Sequence, residues 1–491
     1  MKEFIQTHVS WKDAVLVFFT LLILILFCQV VGFSLIIPLL LLFLGVHIFF
    51  LKKADFRLFL QLGLLLSLNV AGTNYIIQQT EIQPLFVPVA SFSMLVMLLY
   101  NDMELAFLMA FISSVITSLL LTNSSFAGDA GYVFTGMDIM LVFFLGNLSA
   151  VYTVKGARTR GHIMAAGLYV SLIQIIAFLI FHHETELLVS SDFVLKYIRP
   201  LAVNGVISSF VVMATLKVFE TWFGLLTNFS LLELADFNQP LLKRLILEAP
   251  GTYHHSLVVS NIAEAASDAV GANALLTRVG AYYHDVGKML KPEYFTENQL
   301  GGGENKHDVL EANISRLVIL NHVKEGQELA RKYKLNPKIH DFIVQHHGTG
   351  LMYFFYQRAL EDPGGQDAVK EDAFRYPGPK PQTKETAIVL LADSTEAATR
   401  ALEDATPKKI EETVRKIINN KFIDGQLDEC DLTLKEIELI ALAFTRGLSA
   451  MYHSRVKYPD KKNGNDNRNQ KPAEKSPSPS SSDSPPDPDG A

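Results

Sequence analysis

Hydrophobic residues crowd the first part of the chain in long runs separated by short polar breaks. Residues 13–31 are almost wholly apolar, Gly32 follows, and a second apolar run extends from Phe33 to Leu51. Further apolar stretches cover 58–78, 84–100, 104–122, 133–153, 163–181 and 200–221. About 20 apolar residues, each rising ~1.5 Å in a helix, cross a hydrocarbon core of about 30 Å. The pattern therefore predicts a transmembrane helical bundle over residues 1–223, with eight spans if 13–51 is a tight helical hairpin and seven if it is not; eight is the reading adopted. The first run is too long for a cleaved signal peptide and lacks a small-residue cleavage pattern. With Met1 in the cytoplasm, the inner connections hold Lys2, Lys12, Lys52, Lys53, Arg57, Lys155, Arg158 and Arg160, whereas the outer ones hold Lys196, with Arg199 at a span edge. This asymmetry obeys the positive-inside rule and places everything after Trp222 in the cytoplasm of a bacterial inner-membrane protein. The outer loops, such as 122–132 and 182–196, are too short to fold independently, so no extracellular sensor domain is expected.

From about residue 228 the texture changes. Apolar residues recur at spacings of three and four with charges between them, as in 408–421 and 434–451, which is the pattern of amphipathic helices. After a linker at 224–245, residues 246–456 are read as a mostly helical soluble domain, interrupted chiefly at 301–303 and in the proline-rich loop from Tyr376 to Pro381. The last stretch, 457–491, is rich in Asn, Lys, Ser, Pro and Asp and has hardly an apolar residue, so burial cannot offset its ordering entropy. It is expected to be a disordered tail.

Composition sharpens this division. Hydrophobic residues make up 49% of the 491 positions and charged ones only 19%, with a mean hydropathy of +0.24, values that suit a membrane protein. A net charge of -7 gives no chain-wide basic field, which excludes a nucleic-acid polymer as partner at first reading. The two cysteines, Cys28 and Cys430, make neither a disulfide framework nor a zinc–thiolate site. Metal chemistry must then use His and carboxylate, and the chain has 14 His.

One window concentrates those residues. His255 is followed 29 positions later by His284-Asp285, then by His322, by His346-His347 and by Asp393. Neutral imidazoles and carboxylates are good ligands for divalent transition metals, and an adjacent His-Asp pair lets one ion take the imidazole while the carboxylate bridges to a neighbour. Two ions about 3.5–4 Å apart activate a shared water, the arrangement used against phosphate esters. Imidazole-rich ligation favours iron or manganese over magnesium. An isolated His-Asp pair is more often a hydrogen-bonded pair on a helix surface; the other histidines in the window turn this one toward ligation.

The motifs then become specific. The stretch EAPGTYHHS from Glu248 to Ser256, VGAYYHDVGK from Val279 to Lys288, YFTENQ from Tyr294, HVKEG from His322, QHHGT from Gln345 and FRYPGPKPQTKE from Phe374 resemble the HD phosphohydrolase superfamily. Within it the chain is most similar to the membrane-bound seven-helix HD-domain cyclic di-AMP phosphodiesterase family, the PgpH type. The resemblance covers 231–245, the domain to about Tyr452 and, more loosely, the helices from residue 33. It implies an all-α fold, a polytopic bundle followed by a cytoplasmic all-helical HD domain. It also implies hydrolysis of cyclic di-AMP to linear pApA, and a centre of two divalent ions, Mn or Fe, held by His255, His284, Asp285, His322, His346, His347 and Asp393. The expected partners are the cyclic dinucleotide and membrane lipid, with homo-oligomerisation left open. Two departures stand out: the family usually carries a large extracellular domain ahead of its helices, where this chain has an additional apolar segment, and it tends to read NPHD where this chain has NKHD at Asn305 to Asp308.

Around this core the residue roles divide. Asp285 and Lys288 are taken as catalytic. Lys288, four positions after His284 on what should be one helix, is read as reaching a phosphate oxygen. His254 and Lys380 are substrate-contact candidates weighed evenly against packing and mere connection, and His307 and His340 are read as structural or surface groups. Asp138, within a span, is expected to face the bundle interior. Two rival functions remain open: hydrolysis of another cyclic dinucleotide or nucleotide ester, and a nucleotide-binding membrane receptor without turnover.

Overall fold

The structure, a computed structural model, describes residues 56–80, 82–122, 136–182, 191–299, 306–361 and 369–453. The apolar runs at 13–31 and 33–51, and hence the choice between seven and eight spans, lie outside the described residues, as does the tail. Among the described residues there is no β-strand, only an isolated bridge between Leu351 and Arg375.

Among the described residues, five helices are long and apolar enough to cross a membrane. They are α1 (Phe56–Gln79), α3 (Met103–Thr122), α4 (Gly136–Val154), α5 (Arg160–Phe181) and α6 (Arg199–Phe223), the last continuous with a π-turn at Val194–Ile198. The apolar run at 84–100 behaves differently from a simple span. Pro84 and Pro88 break it into a single 3-10 turn and a 12-residue helix, α2 (Val89–Tyr100), about 18 Å long and buried in the bundle along nearly its whole length. The unwound backbone survives inside the bundle because Asn204 donates to the carbonyls of Leu85 and Val87 at 3.0 and 2.5 Å. Helices α5 and α6 cross at Gly167 and Gly205, where a Cβ on Gly205 would stand 2.1 Å from the Gly167 carbonyl. Ser171 and Ser209 fasten this crossing by donating to the carbonyls of Ala202 and Ile163. Asp138 sits half-buried in the first turn of α4, a helix end that favours a carboxylate, rather than midway along a span.

The expected linker is itself helical: α7 (Asn228–Leu234) and α8 (Pro240–Glu248) fill most of it. Beyond it come α9 (Pro250–Val270), α10 (Ala274–Tyr283), α11 (Ala312–Lys332), α12 (Pro337–Gln345), α13 (Tyr353–Glu361), α14 (Lys384–Arg400), α15 (Pro407–Ile423) and α16 (Leu434–His453). Their starts are set locally. Proline occupies the first turn of α8, α9, α12 and α15, and the side chains of Asn273, Thr383 and Thr406 accept from the first free amides of α10, α14 and α15. One core joins Val259, Ile262 and Ala266 of α9 to Ile388 and Leu391 of α14 and to Phe444 and Leu448 of α16. A second joins Leu241 and Leu245 of α8 to Val279 and Tyr283 of α10 and to Ile339 and Ile343 of α12.

The second core also reaches the bundle. The Tyr283 hydroxyl donates to the carbonyl of Leu234 at 2.8 Å, and Asn336 donates to that of Gly224 at 3.1 Å, where α6 ends. Between α6, α7 and the start of α12 lies a cavity of about 530 Å³ lined in part by Lys217, Glu220, Tyr283, Tyr333 and Asn336.

Candidate metal centre

Five helices converge on one buried point. His255 lies in the second turn of α9, His284 caps α10 and is followed by Asp285, His322 is midway along α11, His346 caps α12 and is followed by His347, and Asp393 is midway along α14. The backbone turns sharply after His284: α10 stops at Tyr283 and the chain continues as a 3-10 turn, Val286–Leu290. Lys288 therefore does not extend the helix that carries His284. Gly287 allows the turn, since a Cβ there would stand 1.8 Å from the His322 carbonyl.

The histidine tautomers are set by the backbone. Nδ1 of His284 faces the carbonyl of Ala281 at 2.7 Å, that of His346 faces Ile343 at 2.9 Å, and that of His322 faces Ile319. A carbonyl only accepts, so each Nδ1 carries the proton and each Nε2 keeps its lone pair. These Nε2 atoms gather around Asp285: that of His284 is 3.2 Å from Oδ2, and those of His322 and His346 are each 3.5 Å from Oδ1. His255 is held at both nitrogens, by Glu396 on Nδ1 at 2.6 Å and Asp393 on Nε2 at 3.0 Å. The donors fall into two groups of four that share Asp285. One is Asp285, His322, His346 and His347; the other is His255, His284, Asp285 and Asp393, with one donor atom per residue within 4.8 Å of the rest in each.

Burial and charge suit a cation. The Nε2 of His284 and Oδ1 of Asp285 are buried without a hydrogen-bond partner, a costly state for bare polar atoms that a positive ion relieves. Burial would raise the Asp285 pKa, but the Lys288 ammonium beside it holds the carboxyl well below its usual range. Burial pushes His322 down to about 3 and His347 well below its ordinary value, so both rings are neutral and able to ligate. Burial alone would lower His255 too, yet the hydrogen bonds to Asp393 and Glu396 carry it up to about 9. The residues present therefore fit divalent metal.

Exposure shows which side of the centre opens. The side chains of His255, His284, Asp285, His322 and His346 are at most 2% exposed, whereas Asp393 reaches 9% and His347 20%. The His347 ring stacks on Tyr376 at 4.2 Å, so the proline-rich loop meets the centre at this rim.

The other candidates are placed less centrally. The Lys288 ammonium lies 2.6 Å from Oδ2 of Asp285 and 3.0 Å from Oε1 of Glu297, paired to carboxylates on both sides. Lys380 pairs with Asp428 at 3.4 Å, and His254 is exposed on another face of α9; neither joins the donor groups. His307 is buried away from them, its ring bonded to the carbonyl of Tyr294. Sequence reading missed Glu396, Glu297 and Tyr376. Glu396 follows Asp393 by three positions on α14, so helical spacing from a ligand was the signal that could have found it.

Comparison with known proteins fits this geometry. Residues 252–398 match the HD domain, and residues 14–227 match the family described as a 7TM receptor with intracellular HD hydrolase. The chain belongs to this family of membrane proteins, in which a helical bundle precedes an HD domain. It is 41% identical over 380 residues to the cyclic-di-AMP phosphodiesterase PgpH of Bacillus subtilis (strain 168), covering 76% of this chain and 51% of that protein. It is 42% identical over 380 residues to the protein of the same name from Listeria monocytogenes serotype 1/2a (strain 10403S), covering 77% of this chain and 50% of that one. The chain thus spans about half the length of the curated relatives it matches. A crystal structure of the L. monocytogenes phosphodiesterase PgpH HD domain in complex with cyclic-di-AMP is 48% identical, covers 44% of this chain and 100% of that one, and superposes with a TM-score of 0.43.

Proposed function

We propose that this chain hydrolyses cyclic di-AMP to linear pApA at the centre around Asp285, on the cytoplasmic face of the bacterial cell membrane. The observation that carries the reaction class is the pair of four-donor groups sharing one buried carboxylate. The substrate is supported by the two relatives named as cyclic-di-AMP phosphodiesterases, and the orientation by the basic bias of the inner loops.

The proposed ligands, which would hold two ions of manganese or iron, are His255, His284, Asp285, His322, His346, His347 and Asp393, Asp285 being the residue common to both donor groups. Such ions supply Lewis-acid activation of the phosphodiester and of the attacking water. The chain's own residues prepare the site. Main-chain carbonyls fix three imidazoles with Nε2 inward, and Glu396 accepts a hydrogen bond from Nδ1–H of His255, which leaves Nε2 as its ligating atom. Five neutral imidazoles and two carboxylates leave a loaded site near +2, which suits an anionic diester and the greater charge of its transition state. Lys288 keeps Asp285 ionised and oriented. Water adds at phosphorus, the bond to the 3′ oxygen breaks, and the product keeps a 5′ phosphate and gains a 3′ hydroxyl.

The test is turnover by the purified full chain in detergent, loaded with manganese or iron, against cyclic di-AMP and cyclic di-GMP in parallel. The expected result is pApA, formed at least about tenfold more efficiently than the guanine product. Tight binding of cyclic di-AMP without turnover in either metal would establish the receptor reading instead, and a preference for cyclic di-GMP would overturn the substrate.

A further inference from the structure

Lys421, in the last turn of α15, stands beside the open rim of the centre. A Cβ built on Gly350 would lie 3.1 Å from the Lys421 Nζ and 3.0 Å from the His347 carbonyl, so the ammonium and the most exposed ligand flank the same glycine. The two segments are clamped together. Gln426 accepts from the Thr349 amide at 2.8 Å, Arg375 donates to the Thr349 carbonyl at 3.0 Å, and Arg375 also pairs with Asp424 at 2.8 Å. This network fixes the end of α15 against the turn that carries His347.

Within it, Lys421 differs from the other cations near the centre. Lys288 has Asp285 and Glu297, Lys380 has Asp428, and Arg375 has Asp424 and Glu371. No carboxylate is ion-paired with Lys421 among the described residues. The carboxylates around it are engaged elsewhere: Asp424 with Arg375 and Gln426, and Asp393 with His255 and His347. Burial draws the Lys421 pKa below its usual value, against the pull of Asp393 and Asp424, as expected of a cation with no close counter-charge. The side chain nevertheless keeps partial exposure.

A cyclic dinucleotide carries two phosphodiesters, and a single metal centre neutralises one of them. We infer that Lys421 binds the second, non-scissile phosphate of the substrate, anchoring it over the rim formed by His347 and Gly350. This rests on the activity proposed above. A lysine suits the task as a point charge that reaches a phosphate oxygen without competing for metal. Because the non-scissile phosphate does not change charge during the reaction, the contact contributes equally to ground and transition states, and its loss appears in KM rather than in kcat.

The experiment compares the full chain with Lys421→Met and Lys421→Arg in detergent, metal-loaded, with metal content measured on each. For the Met variant, KM for cyclic di-AMP should rise about tenfold or more, with kcat within about twofold and metal content unchanged; Arg should restore most of the affinity. A KM within about twofold of the parent overturns the inference, and so does a fall in kcat at constant KM, which would place the lysine on the scissile phosphate. If the parent binds cyclic di-AMP without turning it over, the proposed activity has failed; Lys421 is then judged by calorimetry, where an unchanged Kd for the Met variant overturns it. A parent that neither binds nor cleaves the dinucleotide overturns both.

Discussion

The membrane bundle and the HD domain both bury polar side chains, and to opposite ends. In the bundle, Asn204, Ser171 and Ser209 spend their donors on backbone carbonyls of neighbouring helices, and Asn147 donates to Ser114 and to the carbonyl of Ala110. These groups hold helices together where lipid offers no hydrophobic drive. In the HD domain, His284, His322 and His346 also spend one nitrogen on a backbone carbonyl, but the other is turned inward toward Asp285. The same bond is an end in one region and a means of orientation in the other. A buried polar residue thus points to chemistry when its remaining atoms converge with those of others.

The largest expected effect breaks the HD side of this comparison. Asp285→Ala removes the carboxylate common to both donor groups, so turnover should fall at least ~100-fold and metal analysis should show at least one ion lost per chain, with helix content unchanged by circular dichroism. Turnover above a few per cent of the parent would remove the two-ion reading.

Glu396→Gln is milder. It leaves His255 in place but weakens the acceptor on Nδ1, and metal affinity measured by chelator competition should fall roughly 10- to 100-fold.

A pH series sharpens the same point. In the metal-free chain the His255 pKa is raised from 6.5 to about 9, so its stabilisation is fully present below 6.5 and is lost as pH rises through about 9. The thermal midpoint of the chelator-treated chain should decline over that window, and Glu396→Gln should shrink the decline. Metal should move the other way and bind more tightly as pH rises over the window, because ligation at Nε2 displaces a proton.

The smallest effect belongs to the bundle. Asn204→Leu strands the carbonyls of Leu85 and Val87 and should lower the stability of the detergent-solubilised chain by ~1 kcal/mol, leaving kcat and metal content unchanged. A matching loss of metal would mean that the bundle's polar groups serve the centre directly.

The ease of reading these regions from sequence follows the range of the interactions involved. The donors around Asp285 are legible because each sits in its own short motif, and the long helices because hydropathy is a local property. The break at 84–100 is visible only if the two prolines are weighed above hydrophobicity, and its tolerance depends on Asn204, more than a hundred positions away. The continuous helix expected through Lys288 fails for a similar reason: Gly287 is pressed against α11, and that contact, absent from local sequence, turns the backbone. Glu396 reaches His255 across 141 positions, and Lys421 enters the rim from a helix whose surface charges look alike in sequence.

One peptide bond separates the residue that grips the connector from a histidine of the centre. Tyr283 holds α7 through the Leu234 carbonyl and forms a wall of the cavity under the last span, and His284 is next in the chain. Reciprocity follows from this adjacency. Any displacement of α7 that alters how firmly His284 holds its ligand carries a coupling free energy, and filling the centre must return that same free energy as a bias on the position of α7. That energy can be measured from either end, as ligand affinity when the connector is restrained or as connector motion when the ligand is added.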